Sequence, residues 1–232
     1  MFMYFDPVYL IFMIPALILA GIASAMTKGT FSKYSKVMAS TRLTGAQAAR
    51  RMLDMNGLQN VEIRQVRGFL SDHYNPMNRT LNLSPDVYSS PSLSSIGVAC
   101  HEAGHALQHA KGYFPLKLRS AMVPVTQFSS YGSYIFIVLG MLMHSMAMAK
   151  FGVILFSIGF LFALITLPVE WDASARAKRQ MVEVGIVQPS EANDAGKVLN
   201  AAFLTYVAAA ISALLTLLYY LMRLGLLGGG DD

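Results

Sequence analysis

Four apolar runs dominate the chain, at residues 8–26, 128–149, 151–169 and 201–222, and none of them contains a charged residue. Each approaches the ~20 residues an α-helix needs to cross the hydrocarbon core of a bilayer. Their Gly, Ala and Ser content suits close contact between helices in lipid. As buried helices of a soluble protein they would need a larger shell of partners than 232 residues can supply. The pattern therefore predicts four membrane spans, with a tight hairpin near residues 148–150 joining the second and third. The first run could pass for a signal peptide, since Ala23-Ser24-Ala25 looks like a cleavage site. A signal peptide carries positive charge before its apolar core. Here Asp6 precedes the run, and Lys28, Lys33 and Lys36 follow it. That order predicts an uncleaved anchor with its N-terminus outside.

Two polar segments, 27–120 and 170–200, separate the runs, and together they suffice for one small domain. Residues 44–56 read as a helix: Thr44 can cap it, Ala46, Ala49 and Leu53 share a face, and Gly57 stops it. Residues 61–66 alternate apolar and polar and read as a strand. Residues 79–83 read likewise, after an Asn75-Pro76 turn. Helical spacing returns over 92–110. The order is helix, strand, strand, helix. The whole chain, 1–232, reads as one membrane domain whose catalytic segments are 27–120 and 170–200. The Gly- and Asp-rich tail at 228–232 reads as mobile.

Composition narrows the function classes. The chain is 54% hydrophobic and 13% charged, against roughly 25% charge in a soluble domain. That excludes disorder and argues against an ordinary soluble enzyme. Cys100 is the single cysteine, which excludes an intramolecular disulfide and a multi-cysteine metal site. Any metal must be held by His and carboxylates. The net charge of +5 would suit nucleic acid or an anionic membrane surface. Of 18 Lys and Arg, 12 lie in 27–120 and 4 in 170–200, several beside the apolar runs. This favours a lipid bilayer as partner and no nucleic acid. It predicts a multi-pass protein of the cell membrane with both polar segments in the cytoplasm.

The last predicted helix carries His101-Glu102-Ala103-Gly104-His105. Two imidazoles at i and i+4 project from one helical face and can share one ion. Imidazole nitrogen suits Zn2+, which accepts N and O ligands tetrahedrally. Glu102, beside the first ligand, can take a proton from an activated water and is the candidate catalytic residue. A catalytic zinc needs a third protein ligand. His109 lies on the same face but too far along a straight helix, and His144 lies near the opposite end of a span. His73 is available, and Asp172 can compete or orient a histidine from behind. Glu170 is the best candidate, because a carboxylate where the third span ends is costly unless an ion satisfies it.

The motif HEAGHALQH at 101–109, two spans, and then PVEWDASARA at 168–177 resemble the YugP-type family of neutral zinc metallopeptidases of bacterial membranes. GFLSDHYNPMNRTLNLS at 68–84 and SSIGVACHEAGHA at 94–106 strengthen the likeness, which covers about residues 27–210. The layout is also similar to the HtpX and CAAX-processing proteases. The resemblance implies a gluzincin-like site with His101, His105 and Glu170 as metal ligands. It implies a mainly α fold, a four-span helical protein with a small zincin-like α+β catalytic portion at the membrane face. Those relatives read Glu-x-x-Ala-Asp, whereas here Ser174 holds the Asp position and the nearby acid is Asp172.

The leading reading is a membrane-anchored zinc metalloendopeptidase, working on a peptide or protein substrate, membrane proteins included, at the cytoplasmic face. His73, Tyr74 and Arg176 are candidate oxyanion donors, and the 79–83 strand is a candidate edge for pairing with an extended peptide. A site-2-type intramembrane protease would bury its motif within a span, but Pro91 and the serines around it are too polar for lipid. A non-catalytic metal-binding scaffold or transporter is the third alternative. A transporter should carry ionisable groups at mid-span, and only His144 lies within a run.

Overall fold

The computed structural model describes residues 6–68 and 71–226, so the tail expected to be mobile lies outside the described residues. The elements are α1 (Pro7–Tyr34), α2 (Gly45–Met55), β1 (Glu62–Gln65), β2 (His73–Asn75), β3 (Thr80–Leu83), α3 (Pro85–Ser89), α4 (Leu93–Ala110), α5 (Phe114–Leu142), α6 (Met146–Glu183) and α7 (Pro189–Arg223). The fold is mainly α with a small α+β portion. Helices α1, α5, α6 and α7 are long and apolar enough to cross a membrane. The chain divides into two compact units. Unit 1 is Met1–Ala23, Leu118–Leu167 and Thr205–Asp232, and unit 2 is Ser24–Lys117 and Pro168–Leu204.

Unit 1 is built from the apolar stretches of the four long helices. Between α5 and α6, a Cβ added to Gly140 would lie 2.5 Å from the backbone nitrogen of Ala149, so only glycine permits this approach. Aromatic edges complete the packing, as with Phe136 on Phe151 at 4.8 Å and Tyr9 on Tyr219 at 5.1 Å. Asp6 at the start of α1 accepts a hydrogen bond from the Tyr219 hydroxyl of α7 at 2.9 Å. The hairpin between the second and third spans falls at residues 143–145, a correction to the expected 148–150. His144 takes a left-handed φ of 53°, and the Ser145 N–H donates back to the Gly140 carbonyl at 2.8 Å. This closes α5 in the manner of a Schellman turn. Ser145 Oγ then accepts from the Met148 N–H at 3.4 Å and caps α6. Apolar residues flank this turn on both sides, so hydropathy alone could not locate it. At its other end α5 starts at Phe114, well before residue 128, because Lys117 and Arg119 interrupt the apolar pattern without interrupting the helix.

Unit 2 holds the polar segments and one core. Thr44 caps α2 in a reciprocal box with Gln47, and Gly57 follows the helix with φ 75°. Ala48, Ala49, Met52 and Leu53 bury against Ile96, Ala99 and Ala103 of α4. The strands are as expected at β1 and β3, but β2 at His73–Asn75 is a third one, missed because it spans only three residues beside the Asn75-Pro76 turn. The sheet order is β1-β3-β2, with β1 parallel and β2 antiparallel to β3. Within the expected 79–83 strand, β3 is therefore central and all four of its residues, Thr80–Leu83, are buried, which corrects the reading of it as a peptide-accepting edge. The edges are β1 and β2. Ser92 caps α4. Ala173, Ala177 and Met181 of α6 complete the core at helical spacing.

Candidate metal centre

Everything in this site belongs to unit 2. The regular turn of α4 sets the rings of His101 and His105 edge to face, centroids 4.8 Å apart. Gly104 lies between them in sequence and lets α6 approach: a Cβ there would meet the Ala173 carbonyl oxygen at 2.6 Å. That approach brings Glu170, 2% exposed, against the two rings. Glu170 Oε2 lies 3.2 Å from His101 Nε2 and 3.6 Å from His105 Nε2. Among the described residues, these three form a group whose ligand atoms all lie within 4.8 Å of one another.

The donor set can be tested against zinc. Two ligand atoms each ~2.0–2.1 Å from a tetrahedral zinc lie about 3.3 Å apart. The separations of 3.2 and 3.6 Å bracket that value. Both rings also have their far nitrogens engaged. His101 Nδ1 lies 3.0 Å from Ser174 Oγ. His105 Nδ1 lies 2.9 Å from Gln108 Oε1, a carbonyl oxygen that can only accept. His105 Nδ1 therefore carries a proton and donates it to Gln108, which leaves Nε2 as the nitrogen turned toward Glu170. Gln108 is held in that orientation because its amide nitrogen donates to the Val169 carbonyl at 2.8 Å and to Asp172 at 2.7 Å. Asp172 in turn accepts from Arg176 at 2.6 Å. Burial pulls the His105 imidazole toward the neutral form, yet the Glu170 carboxylate, together with the Glu102 charge and the Gln108 hydrogen bond, holds its pKa above the ordinary histidine value. The site thus favours positive charge. The residues present fit zinc.

Glu102 is also buried, and its Oε2 accepts the backbone N–H of Tyr74 at 3.0 Å. Edge strand β2 thus fixes the orientation of that carboxylate. The Tyr74 hydroxyl lies 2.9 Å from His109 Nδ1. Burial raises the Tyr74 phenol, and the nearby Arg79 charge acts in the opposite sense.

Among the described residues, the other sequence candidates are not members of this group. His109 faces Tyr74, and His144 sits in the α5–α6 turn. His73 Nδ1 meets the Ser71 carbonyl at 2.8 Å, and its Nε2 meets Asn82 at 3.2 Å. Asp172 reaches the cluster only through Gln108. Arg176 pairs with Asp172 and covers the Tyr113 ring. Two residues escaped the sequence reading. Gln108 could have been found as the polar position at i+3 from His105, on the same helical face. Ser174 was seen only as a missing acid.

Residues 9–225 match the family described as "Putative neutral zinc metallopeptidase". The chain is 48% identical over 219 residues to "Putative membrane protease YugP" of Bacillus subtilis (strain 168), covering 94% of this chain and 96% of that protein. No solved structure matches.

Proposed function

We propose, from the premise that this chain belongs to the neutral zinc metallopeptidase family, that it is a membrane-anchored zinc endopeptidase working at the cytoplasmic face. The observation that carries this reading is the His101–His105–Glu170 cluster with Glu102 beside it. Zinc bound there supplies Lewis acidity for a scissile carbonyl and lowers the pKa of an attacking water. Glu102 takes the proton of that water at the carboxylate oxygen not held by Tyr74, and returns it to the departing amine. Tyr74 keeps the acceptor oxygen aimed. Ser174 and Gln108 hold the two imidazoles by their far nitrogens, so the ring orientations do not depend on the ion. As an edge beside Glu102, β2 is the strand that an extended substrate backbone can join. The cytoplasmic orientation rests on the 16 of 18 Lys and Arg in segments 27–120 and 170–200.

The test compares zinc content and peptide cleavage in the same purified preparations. Glu102→Gln should keep its zinc and lose cleavage by about 100- to 10,000-fold, the range for a lost general base. His101→Ala, His105→Ala and Glu170→Ala should lose zinc. Full cleavage by Glu102→Gln would remove it from the mechanism, and full zinc in Glu170→Ala would refute the ligand set.

A further inference from the structure

Beyond Glu102, the same face of α4 continues through Ala106 to His109, at i+4 and i+7. There unit 2 has a cavity of about 290 Å³, bounded by Tyr74, Arg79, Asn60, His109 and the apolar Leu58 and Ala106. Its size is at the lower end for small-ligand pockets, enough for one side chain or a chain end. Three features give it a chemical preference. Arg79 brings the single cation among the lining residues. Its guanidinium makes no ion pair with any carboxylate of the described residues, unlike Arg50, Arg64 and Arg176. The Tyr74–His109 pair offers one donor more. If the phenol donates to Nδ1, the imidazole Nε2 carries a free N–H; if Nδ1 donates, the phenol O–H is free. Finally, Arg79 holds a left-handed φ of 55°, a conformation that Asn or Gly adopts at lower cost.

We propose that this cavity is a specificity pocket for a carboxylate of the substrate, bound by Arg79 and the free donor of the Tyr74–His109 pair. One planar guanidinium with one further donor matches a two-oxygen anion. Tyr74 ties the pocket to the reaction, because its N–H holds Glu102 while the residue lines the cavity and bonds His109, which lines it too. Seven residues of helix separate Glu102 from His109, roughly 10 Å of rise. An extended peptide covers that distance in about three residues. The preferred carboxylate therefore lies about three residues from the scissile bond. It is either an acidic side chain or the end of the chain.

The inference rests on the peptidase reading, so binding and cleavage are measured separately. Binding uses the full-length Glu102→Gln protein in detergent, with fluorescent peptides that carry Glu or Gln at each position in turn. A second set ends at that position with a free carboxylate or an amide. The Glu or free-carboxylate peptide should bind about tenfold tighter than its neutral twin at one position, as expected for a charge-assisted hydrogen bond. Which set shows the preference identifies the source of the carboxylate. Adding Arg79→Gln should bring the ratio close to one, and Arg79→Lys should leave it intermediate. A wild-type ratio of one, or a ratio unchanged by Arg79→Gln, overturns the pocket. Cleavage by the wild-type protein without any acid preference would overturn the pocket and leave the peptidase reading standing. Acid-selective binding without cleavage would do the reverse.

Discussion

In unit 2 large side chains are fully buried alongside alanines: Met52, Leu53, Leu81, Leu83, Leu93 and Ile96 are all 0–1% exposed. In unit 1 the buried positions are mostly small, Ala16, Ala23, Ser133, Ala208 and Ala210 among them, while Leu17 is 70% exposed and Phe128 is 81% exposed. One unit sorts residues as a protein in water does, because burying apolar area is its main driving force. In the other that force is missing, since lipid tails are as apolar as leucine. Helices there associate through close backbone approach and small residues. The same chain thus obeys two packing rules, and the candidate chemistry lies entirely in the unit that follows the aqueous one.

The sharpest way to break this contrast is an all-or-none labelling experiment. In a Cys100→Ala background, a cysteine at Met143 in the α5–α6 turn should react with an impermeant thiol reagent added to intact cells. A cysteine at Ser32 near the end of α1 should react only after permeabilisation. The reverse pattern would invert the proposed orientation.

Next in size is a matched pair of leucine truncations. Leu53→Ala should cost about 2–5 kcal/mol, as for a fully buried core leucine. Leu17→Ala should change the stability of the detergent-solubilised protein by less than about 0.5 kcal/mol. Equal losses in denaturant unfolding would mean that unit 1 has a core of the aqueous kind.

The smallest expected effect compares two glycines. Both Gly104→Ala and Gly140→Ala force a methyl group against backbone, 2.6 Å from the Ala173 carbonyl and 2.5 Å from the Ala149 nitrogen. Each should destabilise by about 1–3 kcal/mol through overpacking. Zinc content should fall only in Gly104→Ala, because that contact sets the approach of Glu170 to the histidines. Zinc loss in both variants would tie the centre to the packing of unit 1.

The sequence by itself determined whatever depends on near neighbours along the chain. Helical periodicity alone puts His101 and His105 on one face, a Thr–Gln pair three apart caps α2, and the charge-free runs specify four long helices. What only the tertiary structure decided lies between residues far apart in sequence. The hairpin moved to 143–145 because a left-handed His144 and a capping Ser145, rather than polarity, end one helix and start the next. Strand 79–83 became central because three residues at 73–75 pair along its free side. Gln108 and Asp172 are 64 residues apart, as Ser174 and His101 are 73 apart. No local pattern encodes those bonds. They exist because Gly104 has no side chain, which lets α4 and α6 touch where a methyl group would hold them apart.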